Sequence, residues 1–409
     1  MRIGIFTDTY PPFVNGVSTS VSMLEKGLKQ LGHEVFIITV NPDNMTYKYE
    51  NNDQIIRIPG IPIGIYDYRL TGIYPIRSIH RIKKWNLDVI HSHTEFGIGT
   101  FARIISKQLD IPLVHTYHTM YEDYVHYITK GYFDKSSKKI VEYLTKFYCE
   151  TTAQELIVPS KKTYDFFKEK YHYQKNIHIV PTGIDIDRFY KENINKKDVI
   201  EIKKELGIKE TDFVILFVGR LAKEKNIELL LEGHTNIIKK YPNAKLLIVG
   251  SGPDYYHYLD KVDSLNLKNN VIFTNAIPWV EIPNYYGLSN LFVTASKTET
   301  QGLTVIEAMA SSLPVVCIED ESFTNIVIDG YNGKIFKTKR QYIKIIEDLI
   351  SDKNKLNKLS SEARITATSH SLKNFSEQIL EVYKKNINNR KRAFVDKIRD
   401  VVKKGLDGK

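Results

Sequence analysis

Two glutamates, Glu299 and Glu307, lie eight positions apart in TETQGLTVIE, with Gly302, Leu303 and Thr304 between them. On one continuous helix that step leaves two side chains roughly 80° apart in azimuth, so they do not stack on a single face. The apolar residues after Gly302 (Leu303, Val305, Ile306, Ala308, Met309, Ala310) predict a buried helix starting near the glycine. Glu299 then belongs to the preceding loop, and Glu307 lies just over one turn inside the helix. The unpaired amides between them suit an anion, so the stretch can hold a phosphate between two carboxylates. An ordinary helix start, with an acid favoured by the helix dipole, uses the same residues. Spacing alone leaves both readings open.

The elements that must position these residues alternate strand and helix, twice over. RIGIF predicts a short strand, TDTYPPFVNG a loop, Val17 to Leu31 a helix ended by Gly32, and EVFIITV the next strand. DVIHSH and PLVHTYH read as later strands of the same sheet. The scheme restarts at DFVILFVG and NIELLLEGHTNIIKKY, with AKLLIVGSG, NVIFTNA, NLFVTAS and PVVCIE as further strands. Short apolar runs joined by helices indicate parallel strands buried on both faces. Two such series imply an α/β protein of two doubly wound domains with a cleft between them. The boundary falls near VPTGIDIDRF, residues 180 to 189.

Composition narrows the partners. The 409-residue chain carries a formal net charge of +10, which suits an anionic partner such as a phosphorylated substrate, an acidic lipid surface or nucleic acid. The two cysteines, Cys149 and Cys317, form neither a disulfide framework nor a metal-type spacing, so a reducing compartment is expected. Asp8 comes too early for a signal sequence, and no apolar stretch is long enough to span a bilayer.

The succession TDTYPPFVNGV, HTYHTMYEDY, VPTGID, VGRLAKEKN, VGSGP and the Glu299–Glu307 pair resembles the retaining glycosyltransferases of the GT-B fold, family four. The likeness covers nearly the whole chain, in order. HTYHTMYEDY is similar in particular to the bacterial 1,2-diacylglycerol 3-alpha-glucosyltransferases of that family. The resemblance implies two Rossmann-like domains, residues 1–185 and 186–373, and a basic helical segment, residues 374–409, crossing back to the first domain. It also implies that Glu307 binds the ribose hydroxyls of a sugar nucleotide and that Glu299 contacts the transferred sugar. The amides of Gly302, Leu303 and Thr304 would then face the donor, in agreement with the helix-terminus argument.

In VGRLAKEKN, Arg220 and Lys225 follow a strand, at the carboxyl end of the sheet where doubly wound folds bind ligands. Two cations there suit a diphosphate leaving group, on which charge builds as the glycosidic bond breaks. Lys223 reads as a solvated loop lysine. Gly250 and Gly252 would allow close approach to the nucleotide, and Gly16 would do the same from the opposite wall. The family more often has paired glycines at that last place, where this chain has Asn15-Gly16.

His118 matches the family's active-site histidine, which contacts the donor sugar near its C6 hydroxyl. His115, three residues earlier, cannot point the same way along a regular strand. His93 would line the acceptor side, and His91 reads as structural. Asp185 and Asp187 form a D-x-D pair that other glycosyltransferases use for a metal ion. Here Ile184 and Phe189 flank it, and the resemblance assigns phosphate neutralisation to Arg220 and Lys225. No metal site is expected, no tightly bound cofactor, and at most a non-essential or stimulatory divalent cation.

Two stretches suggest contact with a membrane surface. Residues 73 to 85 place Ile73, Ile76, Ile79 and Ile82 at spacings of three beside Arg77, Arg81, Lys83 and Lys84, with no acid. Residues 121 to 133, beginning at Tyr121, are dense in tyrosine. Aromatic and basic residues beside an apolar face suit a headgroup interface. The tail from Arg390 carries eight Lys/Arg against three Asp, and Phe394, Ile398, Val401, Val402 and Leu406 can share a helical face. Packing on the protein core is the competing reading for these apolar residues.

The expected activity is transfer of glucose from UDP-glucose to the 3-hydroxyl of 1,2-diacylglycerol with anomeric retention. The enzyme would work peripherally on the cytoplasmic face of an anionic membrane. A soluble sugar or a phosphatidylinositol-type acceptor is the alternative within the same chemistry. A dinucleotide-dependent oxidoreductase would use similar βαβ units, but no full G-x-G-x-x-G follows either opening strand. No recognised RNA or DNA module is present, so nucleic acid is not an expected partner.

Overall fold

Short, β-branched apolar runs buried along their whole length suit parallel strands covered on both faces, and both halves of the chain fold that way. The computed structural model describes residues 1–13, 15–62, 69–95, 97–118, 149, 153–297, 299 and 301–406, with backbone only from 391 onward. These residues form two compact units. One holds Met1–Gly183 together with the chain from Leu372 onward, and the other holds Ile184–Ser371.

The first unit runs β1 (Arg2–Phe6), α1 (Gly16–Gln30), β2 (Glu34–Val40), β3 (Lys48–Glu50), β4 (Ile55–Ile58), β5 (Gly60–Pro62) and β6 (Arg69–Thr71). It continues with α2 (Ile76–Lys84), β7 (Val89–Ser92), α3 (Gly97–Gln108), β8 (Leu113–Thr116), β9 (Glu155–Val158), α4 (Lys161–Asp165) and β10 (Asn176–Ile179). Eight strands form one sheet in the order β10-β9-β8-β7-β1-β2-β4-β3, while β5 and β6 pair separately. Only β3 runs antiparallel in the large sheet.

The second unit runs α5 (Lys196–Glu205), β11 (Phe213–Val218), α6 (Ile227–Lys240), β12 (Ala244–Val249), α7 (Tyr255–Ser264), β13 (Val271–Phe273) and α8 (Ile282–Gly287). Then follow β14 (Leu291–Thr294), α9 (Leu303–Ala310), β15 (Val315–Ile318), β16 (Gly333–Phe336), α10 (Lys339–Ser351) and α11 (Lys353–Thr368). Its six strands are all parallel, in the order β13-β12-β11-β14-β15-β16.

The final helix, α12 (Leu372–Leu406), is part of the first unit rather than a segment of its own. Phe375, Ile379, Leu380 and Tyr383 join Val21, Leu24 and Leu28 of α1 in one buried cluster. Gly27 of α1 makes the contact close, because a Cβ there would lie 1.9 Å from Ser376 Oγ.

Candidate active site

Ligands of open α/β sheets bind beyond the carboxyl ends of the strands, where the strand order turns back. In the second unit that point lies between β11 and β14, which are neighbours in the sheet although β12 and β13 separate them in sequence. The loops leaving these two strands carry the polar residues singled out above. After β11 come Gly219, Arg220 and a 3-10 turn, Lys223–Lys225, closed by Asn226 in the left-handed conformation ahead of α6. After β14 come Glu299, Gln301 and Gly302, then α9.

Gly302 is the N-cap of α9 at φ 78°, a conformation that favours glycine, and no side chain caps the helix. The first amides, including Leu303 and Thr304, are therefore left to a ligand or solvent. Lys225 Nζ pairs with the Glu299 carboxylate, and Arg220 pairs with Glu224 four residues on. Each cation expected to meet a diphosphate is thus held by a carboxylate. The Lys225 and Glu299 side chains are 16% and 24% exposed, so the pair is reachable from solvent.

The loop after β12 explains Gly250 and Gly252. A Cβ on Gly250 would lie 2.0 Å from Gly219 O, and one on Gly252 2.3 Å from Leu221 O. Leu221 N–H donates to Ser251 O over 2.9 Å, and Asp254 N–H donates to Leu221 O over 3.0 Å. At both glycines the neighbouring loop backbone already comes too close for a side chain.

Glu307 lies inside α9 and is buried. Tyr286 of α8 donates its phenolic hydrogen to Glu307 Oε2 over 2.8 Å. Burial pushes the Glu307 carboxyl up to about 7, against the opposing effects of that hydrogen bond and of the Arg188 charge. Arg188 sits 3.4 Å above the Trp279 ring and donates to Trp279 O over 3.2 Å. Tyr286 and Arg188 were not found from the sequence. Arg188 stands in DIDRF, a stretch weighed only for its carboxylates. Ile184, Ile186 and Phe189 are buried, so the same stretch anchors core packing.

In the first unit the strand order turns back between β1 and β7. Asn15 caps α1 by accepting from Ser18 N–H over 2.9 Å, and a Cβ on Gly16 would have no neighbour within 4 Å. Asp8, in the loop after β1, accepts from Thr94 Oγ1 over 2.5 Å and from Ile98 N–H over 3.1 Å. Burial raises its carboxyl to about 6.

His93 follows β7 and His118 follows β8, and the structure joins them through His93 Nδ1 and His118 Nε2 at 2.9 Å. His115 points elsewhere, with Nδ1 on Ser92 Oγ at 2.7 Å and Nε2 on Glu95 at 2.9 Å. This divergence is the one expected from their spacing. His91 is fully buried between Tyr383 Oη and Thr116 Oγ1, each at 2.7 Å. Glu95, His115 and Cys149 place ligand-type atoms within 4.8 Å of one another, a grouping that sequence spacing did not reveal. Burial holds the Cys149 thiol well above its ordinary range, and Glu95 is already bonded to His115.

The expected face of four isoleucines is not formed. Ile82 is buried at 1% and Ile79 packs partly on the same core, whereas Ile73 and Ile76 are 58% and 71% exposed. Ile73 precedes α2, and within the helix a three-residue spacing drifts against 3.6 residues per turn, so Ile79 and Ile82 rotate inward. Arg81 is engaged by Asp53 at 3.1 Å and by the Tyr49 ring at 4.0 Å. Arg77, Lys83 and Lys84 are exposed. Ile61 and Leu70, partners across β5 and β6, are also exposed. Tyr121, with the rest of residues 121 to 133, and the tail side chains Phe394, Ile398, Val401, Val402 and Leu406 lie outside the described residues. No helix among the described residues is long and apolar enough to cross a membrane.

Comparison with known proteins bears on both units. A family model described as Glycosyltransferase Family 4 matches residues 14–188, and one described as Glycosyl transferases group 1 matches residues 198–366. The chain is 36% identical over 390 residues to an alpha-monoglucosyldiacylglycerol synthase of Acholeplasma laidlawii, covering 94% of this chain and 96% of the relative. It is 34% identical over 385 residues to the Streptococcus pneumoniae protein of the same name, covering 94% and 85%. Anabaena HepE, solved in complex with UDP and glucose, superposes with a TM-score of 0.71 at 17% identity, covering 94% of this chain and 100% of that one. Sucrose-phosphate synthase of Thermosynechococcus elongatus gives 0.72 at 19%, covering 94% and 98%.

Proposed function

Because the chain belongs to the family 4 glycosyltransferases of the GT-B fold and is a hexosyltransferase close to the alpha-monoglucosyldiacylglycerol synthases, we propose that it transfers glucose from UDP-glucose to the 3-hydroxyl of 1,2-diacylglycerol. The product is α-monoglucosyldiacylglycerol, formed with retention at the anomeric carbon. One observation supports the donor half of this reading: the loops and helix that carry Arg220, Lys225, Glu299 and Glu307 leave β11 and β14, the neighbours between which the second sheet's strand order turns back. Family membership sets aside the oxidoreductase and nucleic-acid readings.

In this scheme the Glu307 carboxylate accepts hydrogen bonds from the ribose, and the α9 amides face the donor. Arg220 and Lys225 exchange their carboxylate partners for the diphosphate as negative charge builds on it. That exchange replaces one anion by another, so neither cation is left without a counter-charge. Glu299, released from Lys225, contacts the transferred sugar, and His118 serves as a further sugar contact. The acceptor hydroxyl attacks from the leaving-group side and passes its proton to the departing β-phosphate, so no strong protein base is needed. No tightly bound cofactor enters the scheme, and a divalent cation is at most stimulatory.

The lipid acceptor calls for docking at a membrane surface, at the cytoplasmic face of an anionic bilayer. Exposed Ile73, Tyr74 and Ile76 beside Arg77, Lys83 and Lys84 support α2 as the docking element. The deciding experiment incubates purified protein with diacylglycerol liposomes and a panel of nucleotide sugars, then identifies the glycolipid and its anomer by NMR. Absence of glucosyl transfer from UDP-glucose to diacylglycerol, or a β-linked product, overturns the proposal.

A further inference from the structure

The first unit contains a row of buried imidazoles that the proposed reaction uses only at its end. His91 is fixed through both ring nitrogens, by the Tyr383 hydroxyl of α12 and by Thr116. The His93 ring lies against it with centroids 4.0 Å apart. His93 Nδ1 then meets His118 Nε2 at 2.9 Å. His93 is 1% exposed, and its Nε2 is buried with no hydrogen-bond partner among the described residues.

That unpartnered nitrogen decides where the hydrogens lie. One hydrogen must sit between His93 Nδ1 and His118 Nε2, because two facing lone pairs would repel. If His118 supplied it, His93 would carry its own hydrogen on Nε2, as a buried N–H with nothing to accept it. Orphaned buried N–H groups are rare and costly, while an under-used acceptor costs less. The cheaper arrangement puts the hydrogen on His93 Nδ1, donating to His118. Both rings are held neutral by burial, His118 being lowered to about 4, so doubly protonated forms do not enter near neutral pH.

We infer that His93 is a positioning residue that locks His118 in its Nδ1–H tautomer, so that His118 offers an N–H donor to an oxygen of the bound substrate. Neutral imidazole carries one hydrogen, and with Nε2 accepting from His93 it has to be on Nδ1. The oxygen it serves is a sugar hydroxyl, and this clause rests on the sugar contact assigned to His118 above. The row is anchored at its other end by Tyr383, which fixes His91 beneath the His93 ring.

The test reads the tautomer directly, without substrate. Full-length protein labelled with ¹⁵N-histidine is examined by two-bond ¹H–¹⁵N correlation, beside His93→Leu, which removes the donor, and His93→Asn, which keeps an N–H near the Nδ1 position. The expected result is a single Nδ1–H tautomer for His118 in the wild type and in His93→Asn, and a mixture in His93→Leu. kcat for glycosyl transfer is expected to fall on the order of tenfold in His93→Leu, the worth of about one hydrogen bond, and to recover in His93→Asn. A hydrogen on His118 Nε2 in the wild type overturns the inference, as does a His93→Leu spectrum with the tautomer unchanged. If His93→Leu does not fold, the wild-type spectrum still decides. A wild-type transfer rate in His118→Ala counts against the sugar contact and leaves the tautomer reading standing.

Discussion

Tyr286 and Glu307, twenty-one residues apart, are joined in the core of the second unit by a hydrogen bond that commits one carboxylate oxygen to the phenol. The carboxyl is raised to about 7 by burial, so it is partly protonated at neutral pH in the free protein. Ribose hydroxyls bind better to the ionised form, which only accepts hydrogen bonds. UDP-glucose affinity, measured by calorimetry between roughly pH 6 and 8, a range set by the shifted carboxyl, is therefore expected to rise with pH through about 7. The Tyr286 bond holds the pKa down, so Tyr286→Phe should move the midpoint upward. In Glu307→Gln the dependence should vanish, and in Glu307→Ala one lost charged hydrogen bond should cost ~1.5–3 kcal/mol of donor binding. The sign for folding is opposite. A carboxyl whose folded value is raised above the ordinary 4.5 withdraws stability as pH rises from there to about 7.

Arg220→Ala and Lys225→Ala should lower kcat by roughly 10²–10³ while moving the melting temperature far less. The Lys225–Glu299 pair is partly exposed, so its loss costs little in the free protein, whereas Glu224 is 3% exposed and Arg220→Ala is read beside Arg220→Lys, which keeps the charge on that carboxylate. Paired turnover and thermal-melt measurements check this. A variant whose activity loss is matched by unfolding would take that residue out of the leaving-group site.

Membrane binding should depend on the residues that remain exposed. Arg77, Lys83 and Lys84 neutralised together with Ile76→Asp should release the protein from anionic liposomes and slow transfer to embedded diacylglycerol. Each cation near such a surface contributes about 1 kcal/mol. Wild-type sedimentation should weaken as salt rises, since exposed charges are screened within about 8 Å at physiological ionic strength. Adding Arg81 to the set would also break its contact with Asp53, so a folding control is needed there. A quadruple variant that sediments and transfers like the wild type would remove α2 as the docking element.

Gly252→Ala should destabilise the protein by roughly 1–3 kcal/mol, as overpacking does. The added carbon meets backbone atoms of Leu221 at 2.3, 2.6 and 2.7 Å, and backbone cannot rotate aside. Denaturant unfolding measures the loss. An unchanged midpoint would show that the two loops are not as close as described.

Most of the fold was legible because the strands are continuous apolar runs that only a doubly wound sheet can bury. RIGIF and EVFIITV fall on β1 and β2 residue for residue. The helix start at Gly302 was legible from Leu303 to Ala310 for a similar reason. The partners of the polar residues were not. Tyr286 meets Glu307, Lys225 meets Glu299, and Glu95 meets His115 only because strand order brings distant loops together. Spacing along the chain carries no trace of that. Ile82 misled because a repeat of three resembles a helical stripe over one turn and has drifted off it by the third member.

The chain enters the first unit at Met1, leaves it after Gly183 and re-enters at Leu372. During synthesis, therefore, the amino-terminal half emerges from the ribosome long before the helix that completes it. Until α12 arrives, the side of α1 around Leu24 and Leu28 lacks the cover of Phe375, Ile379 and Tyr383, and His91 lacks the Tyr383 hydroxyl. The Ile184–Ser371 unit, uninterrupted in the chain, can finish folding while the earlier residues wait. A ribosome that stalls or drops off before Leu372 would release a sound second unit joined to an unfinished first one. Its exposed apolar helix face is the kind of surface that chaperones and proteases recognise, so α12 is the late-arriving cover on which the first unit's quality control would turn.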